Sequence, residues 1–150
     1  MSRINWPRLV LATVVLYIVF FTLYTVADTV VLSRLGEEMK SVMRPGMEGS
    51  VFGVYQMVAY AVMTLVFALI FTYGREGRGL AEGARYGLLM GLLLGAVDFV
   101  WTIGLPLEPA LAFLAFARDL VIFVIAGVLL AFLYRPAKGT EQTGDTRAAA

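Results

Sequence analysis

Residues 49–74 read GSVFGVYQMVAYAVMTLVFALIFTYG and carry no charged side chain. A bilayer core about 30 Å thick takes roughly 20 apolar residues of helix, so this run is long enough to cross it once. A membrane β-strand would be a segment of about ten residues with alternating polarity, and nothing alternates here. In hydrocarbon every backbone N–H and C=O must be bonded within its own segment, which a single helix achieves.

Working outward, three further runs have the same character. Residues 9–27 are uncharged, 87–107 are interrupted only by Asp98, and 109–134 only by Arg118 and Asp119. The chain is 60% hydrophobic and 15% charged, against about half and a quarter in soluble domains. The expected fold class is all-α: an integral membrane bundle of four antiparallel transmembrane helices. The spans are expected at about 9–32, 50–73, 80–104 and 109–134, in one domain of residues 1–136. Residues 137–150 show no periodicity and read as a disordered cytoplasmic tail. The first run follows Arg3 and Arg8 as a signal peptide would. It outlasts a signal's apolar stretch of about 7–15 residues and lacks a small-residue cleavage site, so an uncleaved first span is expected.

Lys and Arg counts orient the spans. Arg3, Arg8, Arg75, Arg78, Arg85, Arg135, Lys138 and Arg147 put eight on one side, against Arg34, Lys40 and Arg44 on the other. The richer side is expected to be cytoplasmic, with both termini there. Reporter fusions after Arg78 and after Lys138 should therefore report cytoplasm, and one at Glu38 the outside. A cytoplasmic signal at Glu38 would reverse the assignment. Trp6, Tyr73, Tyr86 and Tyr134 each stand within two positions of an arginine at the inner end of a span, and all four are expected as interfacial anchors.

The one long connection, 33–50, places Leu35, Met39, Val42 and Met43 at helical spacing before Pro45 and Gly46 break the pattern. A short surface helix is expected, either a lid over a site or an amphipathic linker. In the third span Gly79, Gly83, Gly87, Gly91 and Gly95 recur at every fourth residue. Such a stripe lets backbones approach closely. It serves either packing within the chain or a homodimer or partner seam. Gly127 lies off this ladder and is expected to tolerate a larger side chain better than Gly87 or Gly91.

Placed by depth at 1.5 Å per residue, the polar groups gather in the outer half. Asp28 lies ~6 Å in, Gln56 and Asp98 ~9 Å, and Arg118 and Asp119 ~14 Å, close to the midplane. Tyr60, Tyr24, Thr25 and Thr102 fall in the same zone. A charge at mid-bilayer costs ~2.5–3.5 kcal/mol, so these groups should face inward and pair. Neighbouring residues point about 100° apart on a helix, so Arg118 is expected to find Asp98 or Asp28 rather than Asp119. Asp119 then needs hydroxyl or amide partners. The three aspartates outnumber the arginine, which leaves room for a proton, a cation or water. The candidate ligand site is thus Asp28, Gln56, Tyr60, Asp98, Arg118 and Asp119. The alternative is a polar network that only fixes helix register. The pentapeptides 26–30 and 96–100 share an Asp two residues before Val, a slight internal repeat.

The chain has no histidine and no cysteine. That excludes disulfides, thiol chemistry and the usual zinc and copper sites, and removes the commonest general base. No metal or cofactor is expected. The formal net charge of +1 gives no basic stripe for nucleic acid. The expected partners are the lipid bilayer and either a second copy of the chain or another membrane protein.

The segment Glu82-Gly83-Ala84-Arg85-Tyr86-Gly87-Leu88 resembles a pattern in small uncharacterised bacterial four-helix integral membrane proteins. The end of the fourth span, Val128-Leu129-Leu130-Ala131-Phe132-Leu133-Tyr134-Arg135, is similar to them too. The resemblance implies a bacterial inner-membrane protein and no particular activity. The Glu-Arg and helical Asn of the four-helix glutathione and eicosanoid enzymes are missing. The expected function is non-enzymatic binding or passage of a small solute or ion through an outward-facing polar pocket. The rivals are an assembly subunit docking through the glycine ladder, and an intramembrane enzyme using Asp98, Asp119 and Arg118.

Overall fold

The structure, a computed structural model, describes residues 5–43, 45–46 and 50–134. The tail expected over 137–150 lies outside them. Five α-helices follow one another: α1 (Trp6–Val26), α2 (Ser33–Val42), α3 (Val51–Gly74), α4 (Leu80–Ile103) and α5 (Pro109–Leu133). A π-helical turn, Ala27–Val31, extends α1. With that turn α1 forms one membrane span, and α3, α4 and α5 form the other three; α2 is too short. The protein is a multi-pass membrane protein built as a bundle of four antiparallel spanning helices.

α1 begins at Trp6 because the Asn5 side chain accepts the Arg8 backbone N–H at 3.2 Å and Pro7 stands in the first turn. Gly79, at φ 75°, turns the chain into α4, a backbone conformation that costs glycine little. A Cβ there would meet nothing within 4 Å, so Gly79 belongs to the turn and not to the packing stripe.

Lipid tails are as apolar as leucine, so burying leucine against leucine gains little between membrane helices. Close packing and hydrogen bonds hold them together. α4 and α5 form the most intimate pair. Gly83, Gly87, Gly91 and Gly95 are all buried. A Cβ added at Gly83 would lie 2.3 Å from the Gly127 carbonyl oxygen, and one at Gly87 2.3 Å from that of Phe123. The ladder is thus covered by α5 of the same chain. Gly127 is its counterpart, since a Cβ there would lie 2.3 Å from the Gly83 carbonyl oxygen and 2.8 Å from the Gly87 Cα. The expected tolerance at Gly127 is therefore overturned: a seam between two helices has two sides, and spacing within one helix shows only one.

α1 packs on α3 and α5. At mid-depth Phe20, Phe67 and Phe123 meet with ring centroids 5.1–5.7 Å apart. Two of the expected interfacial rings, Trp6 and Tyr73, are exposed. The other two turn inward. Tyr86 donates to the Phe67 carbonyl at 2.5 Å, and Tyr134 is 4% exposed. A mid-bundle carbonyl gives the Tyr86 hydroxyl a partner that draws the ring in from headgroup level.

α2 forms as its spacing predicts. It buries Leu35 against Leu111 and Ala115, with Leu32 and Met39 alongside. Arg34 reaches Glu108 at 3.1 Å. α2 therefore docks on the start of α5. A Cβ at Gly36 would lie 2.6 Å from the Asp28 carbonyl oxygen, so the helix also presses on the π-turn.

Candidate functional site

Arg118 sits at mid-height on α5 with its side chain 13% exposed. Its long side chain engages three aspartates. Nη1 donates to Asp28 at 2.7 Å, Nη2 to Asp98 at 3.1 Å, and Nε to Asp119 at 3.0 Å. One side chain so joins α4, α5 and the π-turn after α1. The expected pairing with Asp98 and Asp28 is present in the geometry. The expectation that neighbours on one helix do not pair fails for Asp119. The 100° rule concerns Cβ directions, and the flexible arginine stem folds its Nε back over the next residue.

Asp119 is the most buried of the three carboxylates, 4% exposed against 35% for Asp28 and Asp98. It also receives the Tyr24 hydroxyl at 3.1 Å, the kind of partner its depth demands. The Tyr24 ring lies beneath Arg118, with the guanidinium carbon 4.9 Å from its centroid. Tyr24 thus serves the network twice, as donor to the carboxylate and as π-face for the cation. Its depth placed it in the polar zone, though outside the six candidate residues; its double contact could not be read from sequence.

Asp28 lies within the π-turn. A π-helical turn shifts every following side chain around the axis, and such turns recur at functional sites. Thr29, within it, bonds back to the Thr25 carbonyl at 2.6 Å. Asp28 and Asp98, the matching aspartates of the slight internal repeat, hold the same guanidinium from different helices.

Gln56 and Tyr60 are placed differently. They stand on α3, which is exposed or half-buried along 51–63 and becomes buried only at Thr64. That half of α3 buries no residue in the bundle. Between it and α1 lies a cleft of ≈500 Å³. Tyr17, Phe20, Tyr24, Asp28, Gln56 and Tyr60 are among its walls. The Tyr24 and Tyr60 rings are 6.5 Å apart across it. Asp28 and Tyr24 are shared by cleft and network, while Asp98 and Asp119 lie behind them. The six residues of the candidate site therefore divide into a cleft wall and a charge network that meet at Asp28.

Three carboxylates on one guanidinium leave a formal surplus of two negative charges beside this cleft. Among the described residues, no group of His, Cys, Asp and Glu is disposed to hold a metal ion. No protein-family model, curated protein or solved structure matches the chain.

Proposed function

We propose that the chain is a membrane binding protein or carrier for a small amphiphilic cation, received in the cleft between α1 and α3 with its charge toward Asp28. The observation that carries this reading is the meeting of an aromatic-walled cleft with a charge network of surplus negative sign. Its ≈500 Å³ is within the usual range for small-molecule sites. Aromatic faces attract organic cations, and more strongly where water is excluded. The loose half of α3 is suited to admit a ligand, because few contacts need to break when it moves. The proposal places the protein in a bacterial inner membrane with both termini cytoplasmic and the cleft opening outward, on the Lys and Arg bias and the resemblance of its second half.

The test uses tetraphenylphosphonium as the probe cation on the purified chain. Saturable binding is expected, weakened about tenfold by Asp28→Asn, which removes the charge that faces the cleft. Tetraphenylborate, of equal size and opposite sign, should not compete. Equal binding of both ions, or no change in Asp28→Asn, would overturn the reading. One observation favours a second reading: Arg118 has its partners within the chain, as a device fixing helix register requires. Absence of saturable cation binding, with folding still dependent on Arg118, would select that reading.

A further inference from the structure

At the opposite, arginine-bearing end of the bundle lies a second cavity of ≈350 Å³ that the network does not touch. Asn5 and Arg8 from the start of α1, Thr72 and Arg75 from the end of α3, Glu76 just after it, and Tyr134 from the end of α5 line it. Tyr134 is 4% exposed, and its buried hydroxyl has no hydrogen-bond partner among the described residues. Buried hydroxyls are almost always bonded, so an orphan of this kind points to a missing acceptor or donor. Arg75 stands over the same ring, 5.9 Å from its centroid.

The charges decide the sign of that missing group. Arg8 and Arg75 form no ion pair among the described residues, whereas Glu76 is held by Arg78 at 2.7 Å. The nearby Glu82 accepts the backbone N–H of Arg78 at 2.8 Å and that of Glu76. The acidic groups are thus engaged, and two guanidiniums remain with the orphan hydroxyl. The start of α1 adds the positive pole of a long helix. Exposed Trp6 and Tyr73 mark this level as the membrane interface.

The geometry points to a phosphate-binding site, formed by Arg8, Arg75 and the Tyr134 hydroxyl, for the headgroup of an anionic phospholipid. Arginine forks match phosphate oxygens. The lipid's acyl chains would continue along the apolar surfaces of α1 and α3. The ammonium of a zwitterionic headgroup meets two arginines against one carboxylate, Glu76, that Arg78 already holds, so the site favours a phosphodiester without one.

The full-length protein would be studied by native mass spectrometry with phosphatidylglycerol and phosphatidylcholine, and by thermal unfolding in nanodiscs of each lipid. Preferential retention of phosphatidylglycerol is expected. Arg8→Gln and Arg75→Gln together should weaken it by at least about tenfold, the effect of losing charge-assisted bonds. Both side chains are exposed, so folding should survive the change. Tyr134→Phe separates ligand binding from structure. In phosphatidylcholine it should melt at or above the wild-type temperature, since an unsatisfied buried hydroxyl is removed. In phosphatidylglycerol it should lose much of the lipid-dependent rise. Equal retention of the two lipids, or a Tyr134→Phe loss identical in both, would overturn the site. Inorganic phosphate stabilising the chain as strongly as phosphatidylglycerol would overturn the lipid as its source.

Discussion

Gly127→Leu should leave no folded bundle in mild detergent. At Gly127 even a methyl group would fall 2.3 Å from the Gly83 carbonyl oxygen and 2.8 Å from the Gly87 Cα. These are backbone atoms, so no side chain can rotate away, and α4 and α5 would have to separate along their length. Overpacking of this kind typically costs about 1–3 kcal/mol for small insertions. Gly127→Ala, Gly83→Ala and Gly87→Ala should fall near the upper end, read as lost stability in denaturant or steric-trap unfolding. The approach relaxes toward the charge network. Added methyls at Gly91 and Gly95 would meet their nearest neighbours at 3.2 Å, and at Gly95 that neighbour is the Phe116 ring. Gly95→Ala should therefore cost less than about 1 kcal/mol. Gly74→Ala, with nothing within 4 Å, serves as the control. Equal effects at Gly127 and Gly74 would show that α4 and α5 do not meet through this seam.

Arg118→Leu is expected to be the second most damaging single change. It removes the cation that three carboxylates share and leaves Asp119 almost wholly buried. Removing one partner of a buried pair typically costs about 3–5 kcal/mol, because the survivor remains unpaired. The three aspartates should not be equivalent in double-mutant cycles with Arg118. The coupling to Asp119 should be largest, since its carboxylate is 4% exposed and is bonded by Tyr24 as well. Asp28 and Asp98, each 35% exposed, are partly solvated and should couple more weakly. Joining Asp98→Leu to Arg118→Leu should recover little, because two other carboxylates stay behind. Joining Asp119→Asn should recover more. Losses that simply add for Arg118 and Asp119 would dissolve the network as described.

The two experiments separate the halves of the molecule's design. The glycine seam sets how near α4 and α5 can come. Where the seam widens, the guanidinium of Arg118 gathers the π-turn and α4 to one point. The cleft lies where α3, over residues 51–63, is left out of this arrangement. Its loose packing there is the structural counterpart of the polar residues, Gln56 and Tyr60, that it carries into an otherwise apolar span.

By itself the sequence determined the number of spans, their near boundaries, the position of each charge along its span and the short amphipathic helix between the first two spans. Lipid makes this possible, because every span must bond its own backbone and declares its length as an uncharged run. It also made Arg118 a necessary partner of aspartates at a shallower depth. What faces what was decided only by the tertiary structure. Helices apolar on every side carry no mark of which face meets lipid and which meets a neighbour. Gly127 as the far side of the seam, Tyr86 and Tyr134 turned inward, and the cleft between α1 and α3 were all hidden for that reason. The contact between Arg118 and Asp119 was hidden for another. It depends on the path of a four-bond side chain through space, whereas sequence spacing reports only where that side chain begins.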